Sequence, residues 1–538
     1  MAEKKYDVIV VGAGSTGGAL SAKLSENPDL SVLLLEGGPV YSRVEEMPQE
    51  LLAPAIVAAG APGHPNNWAY MGEVRRGLSI PYPRGKGLGG SSSINGCYYI
   101  RGTRDDFDTW AKLGNDLWAF DKVLKYYKRM ERDLDFGGDA HGTDGPVPVR
   151  REPLDRAPEF TTAFDEGCHA LGFGSDPDKN DPRPEGGVGP VPLNIFEGHR
   201  FGTALAYLLP ATGRPNLTIV GNAVARRVLT EKTRAVGIEA TVDGRPQVFH
   251  GTEIVISAGA LRSPHLLLVS GIGPAAHLRE HGVDVVRDLP GVGQQLTDNS
   301  MVTASWDSRL HLVKQIDRGT MTSTLHWTAE GSDLELLPMV TRNSDMLGVT
   351  DVFARPLKAA KAMIGTSPKA VTRQARALRH AMLGIVVQKQ ESRGTVTLVS
   401  GDPDKLPDLR WNLLSEQQDY VRFRVAIRVA FELFNTSGLR ELGASIVGLD
   451  ARTVEDDKKL DAWAFERVGG GHPSGTCRMG PASDDQAVVD QRLRVHGIDG
   501  LRVADTSIFP TMTSRGPNAT AMMIGEYLAD IMQDEAAR

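Results

Sequence analysis

The residues whose types and spacing suggest chemistry begin almost at the start of the chain. Gly12-Ala13-Gly14-Ser15-Thr16-Gly17 follows directly on the apolar, β-branched run Tyr6–Val11 and opens a helical pattern. A second apolar run, Val32–Leu35, ends at Glu36 and Gly37. Strand, glycine turn, helix and strand within about 30 residues is a parallel βαβ unit. Gly12 permits the tight turn, Gly14 lets a pyrophosphate approach the backbone, and Gly17 allows helix and strand to pack closely. The helix N-terminus adds the amides of Ser15, Thr16 and Gly17 and the positive end of a dipole. Glu36 lies 24 residues after Gly12, where a carboxylate can accept from ribose hydroxyls. The pattern therefore predicts a dinucleotide site. NADP is disfavoured, because Glu36 would repel a 2′-phosphate and no arginine follows immediately. Between NAD and FAD, the early position of the motif and a second Gly/Ser-rich loop from Gly85 to Gly96 favour FAD.

Composition bounds what surrounds that site. The 538 residues include 59 glycines, about 11% against a usual share of roughly 7%. They follow no collagen period or low-complexity tract, so the backbone must approach something closely. The length calls for two parts around more than one core. A formal charge of −7 gives no reason to expect nucleic acid. Cys97, Cys168 and Cys477 are far apart, with no disulfide or metal-ligand spacing, and suit reduced thiols in a cytoplasmic protein with no metal. There is no signal-peptide pattern, and no apolar stretch reaches the length of a membrane span.

The elements that must position the site read as follows. Residues 103–133 look helical, with Phe107, Trp110, Leu113, Val123, Leu124 and Tyr127 as apolar positions. Residues 134–200, rich in Gly and Pro, read as loop with little regular structure. Strand-like runs return at Leu217–Val220, Val236–Ala240 and Ile254–Ser257. Residues 300–345 alternate weakly, as an antiparallel sheet would. Helical periodicity recurs at Asp419–Phe434 and at 519–533, with Gly-rich loops around 469–480 and 500–520. The expected organisation is one discontinuous nucleotide-binding domain (1–150, 200–300 and 465–538) interleaved with a substrate domain (151–199 and 301–464).

Several ordered blocks resemble the glucose–methanol–choline (GMC) oxidoreductases: GAGSTGG with Glu36, GKGLGGSSSINGCYYIRG from Gly85, GALRSPHLLLVSGIGP from Gly259 followed by LPGVGQQLTDN, and HPSGTCRMG from His472, then VVDQRLRVHGIDGLRVADTSIFPT and GPNATAMMIGE. EGHRFGTALAYLLPATGRPNLTIV and ERDLDFGGDAHGTDGPVPVRR further resemble the mycofactocin-associated members, which pass electrons onward rather than to oxygen. The resemblance implies an FAD-binding Rossmann-like α/β domain combined with an α+β substrate domain of antiparallel sheet backed by helices. It places Arg84, Gly87, Gly90, Ser91, Asn95, Gly96, Ala258, Gly259, Thr506 and Thr520 around FAD. Asp505 falls by the ribityl and pyrophosphate, and Val224 touches the adenine end through its backbone. Relatives that attach FAD covalently use a histidine in the glycine–serine loop. This chain has Ile94 and Asn95 there, so noncovalent FAD is implied. Where relatives often read LQDH, it has Leu296-Thr-Asp298-Asn299, which puts a local contact in question.

Oxidising an alcohol removes a hydride from carbon, which flavin N5 can take, and a proton from oxygen, for which histidine is the natural base. Of 13 histidines, His472 is the candidate. Glycines 469–471 free the backbone before it, Pro473 restrains the chain after it, and in the family this residue faces the flavin. Asn518 matches the position of the second catalytic residue, where an amide can hold the developing oxygen charge. It also reads as a helix N-cap. The implied function is an FAD-dependent dehydrogenase of primary or secondary alcohols with a non-oxygen acceptor. The alternatives are a peroxide-forming alcohol oxidase and, further off, a lyase or photodecarboxylase on the same fold. Arg355–His380 carries seven Lys/Arg and no acid. It reads as solvated helix, or as a docking surface for an electron-accepting partner or an anionic membrane surface.

Overall fold

The structure, a computed structural model, describes residues 4–153, 157–183, 186–310, 312, 317–346 and 378–536. The basic segment therefore lies outside the described residues except for its last three.

The first sheet forms around the opening apolar run. Lys5–Val11 sits between Val32–Leu35 and Arg245–Ile256, parallel to both, with Val11 opposite Leu35 on one side and Ile256 on the other. Leu217–Val220 extends the sheet beyond Val32–Leu35, and Leu501–Val503 pairs in parallel with Ile254–Ile256. Ile9, Val10, Leu33, Leu34, Ile254 and Val255 are fully buried, as strands covered on both faces must be. Ala223–Glu231 and Arg234–Val242 complete the sheet as antiparallel strands. The chain leaves Lys5–Val11 toward one neighbour while the other neighbour arrives from far along the sequence. The crevice at these C-terminal strand ends is where an open α/β sheet binds ligands.

The second sheet is antiparallel, in the order Ser445–Ile446, Ser300–Asp307, Ala381–Val387, Ser332–Arg342, Ser323–Ala329, Gly187–Pro190. The strand period of two divides its faces. Trp306, Leu325, Leu334, Leu336, Leu383 and Ile385 are buried in one apolar core with Phe160, Phe423 and Ile427 of the backing helices. Trp306 and Phe160 stack with centroids 4.0 Å apart. The opposite face carries His326, Glu335 and Met382 at paired positions.

Residues 134–200 are more regular than expected. They contain Glu159–Ala170, a helix of 12 residues, and the strand Gly187–Pro190. Phe160, Ala163, Phe164, Gly167 and Cys168 carry the spacing of a buried helix stripe, which the Gly- and Pro-rich flanks obscure. Residues 103–133 form two helices, Arg104–Lys112 and Phe120–Met130, followed by a short strand. Thr103 starts the first through a reciprocal capping box with Asp106.

Candidate active site

Two glycine loops meet at the crevice. Gly12 has φ +107°, and a Cβ there would lie 2.4 Å from the Ser257 carbonyl oxygen. A Cβ on Gly17 would lie 2.0 Å from the Gly12 carbonyl oxygen, so neither turn nor packing tolerates a side chain. Gly14 differs: its Cβ position has nothing within 4 Å. As the N-cap of Ser15–Leu24 it offers no side-chain cap, so the first-turn amides are left to a ligand. Gly90 closes the second loop against it, with a Cβ position 2.7 Å from Gly14 Cα.

Glu36 joins these loops. Its buried carboxylate accepts from the backbone amides of Ala13 at 2.9 Å, Gly38 at 2.8 Å and Gly87 at 2.9 Å. Burial pushes its pKa up, and the three amides pull it back. Nothing in the sequence pairs Glu36 with Gly87. Gly37 lies against Trp68, whose ring would be 2.7 Å from an added Cβ, with the Val224 side chain 3.6 Å away. Gly37 and Val224 are thus brought together, and Trp68, which carries no motif, joins them. An uncapped helix end, open space over Gly14 and an acid at the neighbouring strand end fit a dinucleotide such as FAD.

The other expected cofactor residues divide by what their side chains do. Asp505 accepts from the Gly259 amide at 2.8 Å, the Ser263 hydroxyl at 2.5 Å and the Ser507 amide at 2.8 Å. Its own burial raises its pKa. The Ser263 hydroxyl also accepts from the Ala258 amide at 3.1 Å, so Ala258, Gly259 and Asp505 form one unit. Ser91 accepts from the Gly85 amide, Asn95 from the Cys97 amide, and Thr506 donates to the Pro473 carbonyl. The Gly96 Cβ position is 3.0 Å from Met321 Cε. Thr16 donates to Ala521, and Thr520 is buried in a 2.7 Å bond with the Tyr127 hydroxyl. Both hydroxyls are thus engaged within the protein.

Opposite the glycine loops, the chain leaves the edge strand Val468–Gly469 and enters the loop carrying His472. Asp298 holds that loop. One carboxylate oxygen accepts from the amides of Gly471 at 3.0 Å and His472 at 2.8 Å. The other accepts from Trp411 Nε1 at 3.1 Å and from the Tyr82 hydroxyl. A Cβ on Gly470 would run into this carboxylate at 2.4 Å. Arg84 ties the same loop by donating to the Gly471 carbonyl.

The imidazole is oriented by Asn299, whose Oδ1 lies 2.8 Å from His472 Nδ1. Asn299 Nδ2 donates to the carbonyls of Gln388 at 2.9 Å and Thr513 at 3.1 Å, which leaves Oδ1 as an acceptor only. His472 therefore carries its proton on Nδ1, and Nε2 is the free base. The residue is exposed, yet protein atoms crowd its ring. That desolvation lowers its pKa, with Asp298 and Glu335 opposing and Arg84 assisting. The replacement of histidine by asparagine at position 299 thus makes a specific contact to the candidate base.

The loop before the last helix approaches from the other side. A Cβ on Gly516 would lie 3.4 Å from His472 Cε1. Asn518 is the first helical residue of Asn518–Ala536, not its N-cap, and its Nδ2 makes a long 3.4 Å contact to the Tyr98 carbonyl. Among the described residues Cys477 is a buried free thiol whose pKa burial raises, consistent with a packing role.

The chain is similar to known proteins over nearly its whole length. Family models described as GMC oxidoreductase match residues 6–301 and 390–525. The chain is 36% identical over 535 residues to the uncharacterized GMC-type oxidoreductase of the thcA 5′ region in Rhodococcus erythropolis, covering 99% of each. It is 37% identical over 543 residues to an oxygen-dependent choline dehydrogenase of Sinorhizobium medicae, covering 97% of this chain and 95% of the other. The crystal structure of pyridoxine 4-oxidase from Mesorbium loti superposes with a TM-score of 0.83 at 26% identity, covering 98% and 99%. The chain belongs to the GMC oxidoreductase family and is an FAD-dependent oxidoreductase of that family.

Proposed function

We propose that this protein oxidises a primary or secondary alcohol to an aldehyde or ketone, with His472 as the base and electrons leaving to an acceptor other than oxygen. The observation that carries the reading is the His472 imidazole, fixed by Asn299 with Nε2 unprotonated and with Gly516, two residues before Asn518, against its Cε1. FAD, when bound, supplies the hydride acceptor. His472 Nε2 takes the hydroxyl proton, and the Asn518 amide steadies the oxygen as charge develops on it. The Gly12–Gly17 turn and the Gly85–Gly96 loop hold the cofactor, and it stays noncovalent because Ile94 and Asn95 offer no imidazole. The discontinuous nucleotide-binding domain and the interleaved substrate domain correspond to the two large sheets in this reading. The same reading places the protein in the cytoplasm. Among the described residues, no helix is long and apolar enough to cross a membrane.

The neutral imidazole sets the pH behaviour. Only unprotonated His472 can accept the proton, and its pKa lies below that of an ordinary histidine. The rate of alcohol oxidation should therefore be flat at neutral pH and fall only in acid, below the usual histidine midpoint of about 6.5. Asp298, Arg84 and Glu335 are the charged groups that shift this midpoint. A midpoint at or above pH 7 in anaerobic rapid mixing would contradict the assignment.

An anaerobic panel of alcohols, scored by loss of flavin absorbance, tests the reaction class. Bleaching by an alcohol together with release of its carbonyl product is expected. Carbonyl or hydrocarbon release without bleaching would overturn the redox reading. Slow recovery of absorbance in air supports the non-oxygen acceptor, whereas rapid recovery with stoichiometric peroxide would make the protein an oxidase.

A further inference from the structure

The loop between the first-sheet strand Leu501–Val503 and the last helix carries a buried cation with little to hold it. Arg515 is 4% exposed. Among the described residues, the one hydrogen bond of its guanidinium runs from Nη1 to the Ser514 carbonyl at 2.6 Å, and it makes no ion pair. The rest of its five N–H donors have no described acceptor. Its neighbour Ser514 is spent on Asp106, through both amide and hydroxyl at 2.9 Å. A guanidinium this far inside the protein with a single acceptor keeps its remaining donors for a further partner.

Its position says where. Gly516, the next residue, faces His472 Cε1, and Asn518 lies two residues further on. Arg515 is in electrostatic reach of Tyr98, His326, Asp333 and Glu335. His326 and Glu335 pair across the strands on the face opposite the apolar core. Glu335 itself is engaged by other groups: Tyr98 and Thr324 donate to one oxygen at 3.1 and 3.0 Å, and Gln388 donates to the other at 2.7 Å. It balances the charge at a distance without consuming the guanidinium's donors. Burial lowers the pKa of His326 to about 4, so its ring adds no competing cation.

We propose that Arg515 is a substrate-binding residue that receives the carboxylate of the substrate, so that the natural alcohol is a hydroxy acid rather than a neutral or cationic alcohol. The inference rests on the reading of His472 as the base: the hydroxyl would go to His472 and the carboxylate to Arg515. A quaternary ammonium could accept none of these donors.

Binding without turnover tests it on the oxidised holoenzyme. Butyrate should perturb the flavin spectrum and bind at least tenfold more tightly than butyramide or tetramethylammonium. In R515M the ratio of butyrate to butyramide affinity should fall to about one, with R515K keeping part of the preference. Equal affinities in the wild-type protein, stronger tetramethylammonium binding, or an unchanged ratio in R515M would overturn the proposal. If butyrate is preferred through Arg515 but no alcohol bleaches the flavin, the subsite stands and the redox reading fails. If alcohols bleach the flavin and butyrate has no advantage, the reverse holds.

Discussion

His472→Ala should slow alcohol oxidation by about 10³–10⁴-fold while leaving the content of bound FAD unchanged. The magnitude is the upper part of what a positioned general base contributes, and the surroundings explain why no neighbour replaces it. Asp298 already accepts from four donors and has its oxygens turned toward the loop backbone and two aromatic side chains. Glu335 is filled by Tyr98, Thr324 and Gln388. Asn518 has no proton-accepting nitrogen. FAD retention follows because the imidazole's hydrogen bond goes to Asn299, while Glu36 and the Gly12–Gly17 turn are held by bonds among themselves and to Gly87. Single-turnover reduction in anaerobic rapid mixing, beside the flavin-to-protein absorbance ratio, reads both quantities. A rate within tenfold of wild type would remove His472 as the base. Loss of FAD with the rate would mean that the ring holds the cofactor as well.

How much of this site was legible depends on how local each interaction is. The Gly12–Gly17 turn and its flanking strands lie within about 30 residues, and period, glycine spacing and a terminal acid are enough to place them. Glu36 was legible as an acid at a strand end but not as the acceptor of the Gly87 amide, because that bond spans 51 residues and depends on how two loops fold together. Asn299 could be seen only as a departure from the usual LQDH. Its task emerges when a strand of the second sheet brings it beside a loop 173 residues away. Trp68 and Arg515 carry no local signal at all, and burial beside a glycine or a catalytic loop is what singles them out. The helix Glu159–Ala170 had a readable apolar stripe, and flanking Gly and Pro outweighed it in the sequence reading. The second sheet was foreseen from weak alternation, but which face meets the site follows from pairing register and not from any single strand.

Asp298→Ala should be the most damaging substitution to the architecture of the site, and for a reason that differs from His472. The carboxylate is fully buried, so the groups that donate to it have no bulk water to turn to. Its removal would leave the Gly471 and His472 amides, the Trp411 indole N–H and the Tyr82 hydroxyl without their acceptor. An unsatisfied buried donor costs about 1–3 kcal/mol, so even partial relaxation leaves a loss of roughly 4 kcal/mol. At about 2 °C per kcal/mol, the apparent melting temperature of the holoenzyme should fall by ~8 °C. Tyr82 and Trp411 stack with centroids 4.2 Å apart, so the damage should extend into the hairpin Tyr70–Arg75/Leu78–Tyr82 and its pairing with Asp408–Arg410. Catalysis should fall as well, because a displacement of about 1 Å in a positioned base costs on the order of 10²-fold. Asp298→Asn separates the two effects. Its carbonyl can still accept from the loop amides, so it should keep more activity than Asp298→Ala. Its NH₂ would oppose the Trp411 indole N–H, so it should still melt below wild type. Equal thermal stability in all three proteins would show that the His472 loop is held by the glycine-loop contacts of Arg84 instead, and Arg84→Ala would then become the destabilising change.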